Sequence, residues 1–69
     1  MSEAYLIEAA GEAAGVVIRE RSGFRFFASG PQFSSLEQRV YRRTADATRA
    51  AQALARQAAN DNVHRQRWS

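Results

Sequence analysis

Nucleophilic catalysis needs a base within hydrogen-bond reach of the nucleophile and a third group to orient it, and a metal site needs several convergent ligands. This chain holds one histidine, His64, and no cysteine. A triad would have to be built around His64, which sits in the C-terminal stretch VHRQRWS, and a metal ion there would lack further ligands. Glu8, Glu12 and Glu20 read as turn and surface residues, not as a matched acid–base pair. The near-repeat EAAGEAAG at 8–15 has the glycines of a phosphate cradle but no lysine, and its glutamates repel phosphate. A domain this small also seldom encloses a substrate-sized pocket. No catalytic residue, cofactor, metal site or small-molecule substrate is assigned, and the chain is expected not to be an enzyme.

Binding chemistry is better represented. The stretch VVIRERSGFRFF at 16–27 alternates arginine with large apolar side chains on both sides of a Ser-Gly turn. Arg19, Arg21 and Arg25, with Arg39, Arg42 and Arg43, are candidate phosphate contacts, and Phe27 is a candidate base-stacking residue. The plainer reading makes Arg19 and Arg25 the wet side of an ordinary hairpin. All ten basic residues are arginine, and the net charge is +3. Residues 1–15 carry three glutamates and no base, whereas 16–69 carry ten arginines against four acids. Such an asymmetry suits an acidic partner, a nucleic acid or head-to-tail self-contact. It also follows from a GC-rich genome choosing arginine for solvated surface.

These residues must be positioned by a few short elements. AYLIEAA (4–10) predicts a first strand, and Gly11 and Gly15 predict a loop or flared connection after it. GVVIRER (15–21) and GFRFFAS (23–29) predict two strands of a hairpin, with two competing registers. A two-residue loop, Ser22-Gly23, pairs Glu20 with Arg25. It puts Val16, Ile18 and Phe27 on one face, with Arg19, Arg21, Phe24 and Phe26 on the other. A three-residue loop, Arg21-Ser22-Gly23, pairs Glu20 with Phe24. It gathers Val16, Ile18, Phe24 and Phe26 on one face, with Val17, Arg19, Arg25 and Phe27 on the other. Burying one more phenylalanine, roughly 1.5–3 kcal/mol, outweighs an exposed ion pair of at most about 1 kcal/mol, so the second register is favoured. Both place Val16 and Ile18 inward and Arg19 outward. The favoured register also sets Arg19 directly opposite Arg25, a like-charge pair that calls for an acid or a phosphate between them.

SGPQFSS (29–35) breaks the pattern, with Phe33 and Leu36 expected to plug one edge of the core. Ser34-x-x-Glu37 has the form of a capping box, so 35–43 either begins a long helix or turns at 31–37 into an extended piece around 39–42. The extended reading is preferred, with Val40 or Tyr41 inward and Thr44 as the N-cap of a fresh helix. In TADATRAAQALARQAAN (44–60), Ala47, Ala50, Ala51, Leu54, Ala55 and Ala58 form one stripe at helical spacing. Asn60-Asp61-Asn62 is expected to end the helix.

The expected organisation is one α+β domain over 1–60 and a flexible basic tail over 61–69. The fold is a small antiparallel sheet of about three strands (β-β-β-α) with one main C-terminal helix packed on it. Fourteen of the apolar residues are alanine, so the core is thin. A chain of this size without disulfides gains most from a second subunit. No apolar run approaches the roughly 18 residues that cross a bilayer, and the N-terminus lacks a basic signal-peptide start, so the expectation is a soluble, cytoplasmic protein.

The order of basic strands split by Gly23, then Tyr41 and Thr44 leading into Ala47, Ala50 and Ala51, resembles small bacterial β-β-β-α modules over roughly 16–55. Two are DNA-binding: the arm-type domains of phage integrases and the plant ethylene-response type domain. That resemblance implies a sheet laid on DNA and braced by one helix. The chain departs from it in lacking their dense Trp, Arg and Lys set and in having an acidic first strand. As a whole it resembles short uncharacterised proteins of high-GC bacteria, which implies no activity. Two functions follow as expectations. The first is a non-enzymatic protein-interaction or homo-oligomerising module, using an apolar patch of Val17 and Phe27 with Leu6 or Ile7 nearby. The alternative is nucleic-acid binding through a basic, aromatic sheet face. Val17, Arg19, Arg25 and Phe27 are the candidate surface, with Arg21, Arg39, Arg42 and Arg43 as weaker candidates and the Tyr41 region and Trp68 as possible contributors.

Overall fold

A computed structural model of the chain describes residues 3–68, with side chains described for 3–58. Strand β1 (Ala4–Ala9), β2 (Glu12–Glu20) and β3 (Gly23–Ala28) are followed by a 3-10 segment (Pro31–Leu36), a two-residue strand β4 (Val40–Tyr41) and helix α1 (Thr44–Trp68). The strands form one antiparallel sheet in the order β1-β2-β3-β4. The α+β class is as the sequence indicates, with β4 as one strand more.

The β1–β2 connection is tighter than the glycines suggest. Ala10 and Gly11 have φ of 54° and 81° between the paired residues Ala9 and Glu12. Two positive φ values in a two-residue loop are those of a type I′ turn, whose twist suits a hairpin. Within 8–15, read as a loop or flared hairpin connection, only Ala10-Gly11 is turn, and Glu12 onward is already strand. The register shifts between Ile7 and Glu8, leaving Ala14 as an extra residue in β2. Beside this bulge, Gly15 lies against β3 so closely that a Cβ would meet the Phe27 carbonyl and lie 2.8 Å from Phe26 Cε1.

The β2–β3 hairpin adopts neither expected register. Its loop is Arg21-Ser22, and the pairs are Glu20–Gly23, Arg19–Phe24, Ile18–Arg25, Val17–Phe26 and Val16–Phe27. The residues of β2 are thus one place out of phase with the reading that put Val16 and Ile18 inward. Val17 is the fully buried one, while Val16 and Ile18 stand half-buried on the opposite face. The apolar triplet Val16-Val17-Ile18 fits either face, so it carried no parity signal. Packing decided: this register sets Val17 against Phe26, both with no exposed surface, and Glu20 remains within reach of Arg25 along a diagonal.

Helix α1 covers the face bearing Ile7, Ala9, Val17 and Phe26, and Phe33 and Leu36 from the 3-10 segment close its side. Ala47 and Ala51 are fully buried, with Ala50, Leu54 and Ala55 packed at the margin. Alanine on this stripe lets the helix lie close to the sheet and limits how much apolar area it can bury. Tyr41, not Val40, points inward, edge-on to Phe26 with ring centroids 6.5 Å apart. The extended reading of 39–42 holds. At the helix start, the Arg43 carbonyl accepts from the amides of Asp46 and Ala47 at 3.2 and 3.4 Å. Arg43 is therefore the residue whose carbonyl opens the helix, and Thr44 is its first helical residue instead of the cap. At the far end α1 continues past Asn60-Asp61-Asn62, expected to end it, as far as Trp68. The side chains from 59 onward, among them His64 and Trp68, lie outside the described residues.

The outer sides of β3 and β1 differ. On the β3 side, Phe26 donates its amide to the Arg39 carbonyl and accepts from the Gln38 amide, both at 2.8 Å. The next outward amide, of Ala28, donates to the Glu37 carboxylate at 2.6 Å. On the other side, no described element pairs with β1 beyond β2.

Candidate protein interface on the open sheet face

The face of the sheet turned away from α1 is built by the alternate residues of each strand. Leu6 pairs with Val16 and Val16 with Phe27, giving an apolar row across three strands. Beside it run Ala4, Ile18, Arg25 and Val40, paired in that order. Leu6 is 60% exposed and Val40 39%, whereas Val16, Ile18 and Phe27 are half-buried by their neighbours. Among the described residues no element covers this face. Contiguous apolar surface is seldom left exposed on a small monomeric domain.

One corner of the face is ionic. The Arg25 guanidinium holds Glu20 with two hydrogen bonds, Nε–Oε2 at 3.0 Å and Nη2–Oε1 at 2.8 Å. Its third arm, Nη1, donates to the Gln38 carbonyl at 3.1 Å. The guanidinium holds the Glu20 carboxyl below its usual range, against a smaller opposing effect of burial, and Ser22 Oγ adds a bond at 3.1 Å. Reciprocally, Glu20 raises the pKa of Arg25. Arg19 lies on the other, helix-side face, beyond the helix cover, and reaches Glu3 Oε1 at 3.2 Å. Glu3 also accepts the Tyr5 phenol at 3.0 Å, so the Glu3 carboxyl is lowered, by Arg19 first, and the Tyr5 phenol is raised.

This geometry revises the candidate surface. Val17 leaves it, being part of the core, and so does Ile7. Phe27 and Leu6 stay, joined by Val16, Ile18 and Val40, which sequence reasoning missed. Arg19 and Arg25 are not opposite each other. They stand across from Phe24 and Ile18, on opposite faces, each with its own carboxylate. The repulsion that called for a phosphate between them does not exist. Arg21, in the β2–β3 turn, and Arg39, Arg42 and Arg43, around β4, are exposed. They make no ion pair among the described residues.

The described residues line surface depressions larger than a single water. One of about 450 Å³ is lined by Ala10, Gln52, Ala55 and Arg56. One of about 230 Å³ lies beside Glu12, Ser29 and Phe33. Each holds one charged side chain, and no cluster of metal-ligating residues occurs among the described residues. No described helix is long and apolar enough to cross a membrane. Comparison with known proteins gives no match to any family model, curated protein or solved structure.

Proposed function

We propose that this chain is a non-enzymatic interaction module that meets a protein partner with its open sheet face. The observation that carries this reading is the uncovered apolar row Leu6–Val16–Phe27, flanked by Ile18 and Val40. The two arginines nearest the sheet centre are each held by a glutamate of the same chain. What the face offers a partner is therefore mainly apolar area and shape.

A second reading, nucleic-acid binding, rests on the exposed arginines at the turn end of the sheet. Arg42 and Arg43 follow β4, which runs back along β3 toward Gly23 and the turn that holds Arg21. The two readings separate by affinity capture with wild type, Phe27→Glu and Val40→Glu, with and without nuclease, at low and high salt. Protein docking on the open face gives capture that survives nuclease and salt and is lost in both variants. Capture that vanishes with nuclease or salt and persists in both variants overturns it in favour of the arginine cluster.

A further inference from the structure

We infer that β1 is a self-complementary edge, and that two copies of the chain pair through it about a two-fold axis at Leu6. The inference rests on the reading of the chain as an interaction module and commits it to a second copy of itself. The hydrogen-bond parity of the sheet carries it. The Arg19 amide donates to the Glu3 carbonyl at 2.8 Å. In the register of β1 with β2, this puts Glu3, Tyr5 and Ile7 in the hydrogen-bonded pairs, with Val17 and Gly15 opposite the latter two. The Ser29 amide donates to the Ala14 carbonyl at 2.9 Å, so from Ala14 to Glu20 the even-numbered residues of β2 serve β3 and the odd-numbered ones serve β1. The amides and carbonyls of Ala4, Leu6 and Glu8 consequently point away from β2, along the free edge.

An antiparallel copy placed on that edge must keep like faces together, so directly opposed residues share parity. With Leu6 opposite Leu6 of the partner subunit, the outward groups of both strands meet. Leu6 bonds reciprocally with the partner's Leu6, and Ala4 with the partner's Glu8. A shift of the dyad to Ile7 would bring in Ala10, whose φ of 54° has left the strand. At the Leu6 dyad the apolar row Phe27–Val16–Leu6 runs on through its mirror row without interruption. Both helices then lie on the same side, and the two open faces become one.

The rest of the edge agrees. Strand β1 reads AYLIEA, with a single charge and neither proline nor lysine, the usual devices that blunt an exposed edge. Leu6 and Tyr5 are among the most exposed large apolar residues, at 60% and 42%. The opposite edge is the two-residue strand β4, a very short edge of the kind that blunts strand pairing. One edge long enough to pair gives a closed pair; two would give a filament.

The test is sedimentation equilibrium of wild type from roughly 10 µM to 1 mM, beside Leu6→Pro. Proline at this position removes an outward amide and no bond to β2. Wild type is expected to show a reversible monomer–dimer equilibrium, and Leu6→Pro to raise the dimer dissociation constant by about tenfold or more. Its circular dichroism should remain native. If Leu6→Pro fails to fold, Ala4→Pro, at the start of the strand, carries the same test. In a chain with no other cysteine, Leu6→Cys is expected to cross-link to itself under mild oxidation, because opposed residues of a hydrogen-bonded pair stand about 5.5 Å apart at Cα. Val40→Cys is not expected to do so. Wild type that stays monomeric at 1 mM overturns the inference, as does a dimer indifferent to both prolines. If Phe27→Glu still abolishes partner capture when wild type is monomeric, the docking reading stands and only the self-pairing falls.

Discussion

Val17 and Phe26 stand directly opposite each other on the helix-covered face, and neither has any exposed surface. They are the centre of a core flanked by Ile7, Phe33 and Leu36, to which the helix contributes mainly the small side chains of Ala47 and Ala51. Truncating Phe26 to alanine is therefore expected to cost about 3–5 kcal/mol. Val16→Ala, one residue along but on the open face, should cost below about 1.5 kcal/mol. Urea unfolding of both variants checks the assignment of faces. A larger loss for Val16 would mean that the hairpin register is different.

The turn Ala10-Gly11 holds an alanine at positive φ. An L-residue other than asparagine, aspartate or glycine is strained there, and Asn-Gly is the favoured type I′ pair. Ala10→Asn is expected to stabilise the protein by about 0.5–1 kcal/mol, read as a rise in the urea midpoint at unchanged slope. A destabilised variant would contradict the turn type.

Gly15 is constrained by space instead of by φ. A Cβ placed there would meet the Phe27 carbonyl and the edge of the Phe26 ring. Gly15→Ala should force β2 and β3 apart and destabilise by about 1–3 kcal/mol, while Gly30→Ala, which meets nothing within 4 Å, should cost little. Thermal melts of the two variants make the comparison.

Acid should weaken the fold in a defined direction. Glu3 and Glu20 are held below their ordinary range by Arg19 and Arg25, so their native pKa values lie under the unfolded value of about 4.3. Such groups stabilise fully above the unfolded value, and the contribution drains away as pH falls through the native one. Stability is expected to decline from about pH 5 downward, and more gently in Glu3→Gln/Glu20→Gln. Unfolding free energies measured between pH 7 and 3 decide it. Equal slopes would show that the two ion pairs contribute nothing, as exposed pairs sometimes do.

Much of the architecture could be read from local signals. The lone proline marked the break after β3, the alanine spacing marked the buried stripe of α1, and Tyr41 before Thr44 marked the extended lead into the helix. The site was harder to read, because its residues belong to segments that are apolar on both faces. Val16-Val17-Ile18 and Phe26-Phe27 offer a core residue to either side, so nothing local says which one packs. The inserted Ala14 breaks the count along β2, and bulges of this kind leave little trace in sequence. The long-range partners of the arginines were equally hidden. Glu3 is 16 residues from Arg19 and meets it only because β1 folds back on β2.

The Glu37 carboxylate on the Ala28 amide has a consequence for valence. It occupies an outward amide of β3 beyond the reach of the two-residue β4, so that stretch of β3 has no free amide for a further strand. Backbone pairing can then extend the sheet only from β1 or from the two residues of β4. A glutamate side chain, placed nine residues from the amide it occupies, thus narrows the backbone through which this sheet can be lengthened.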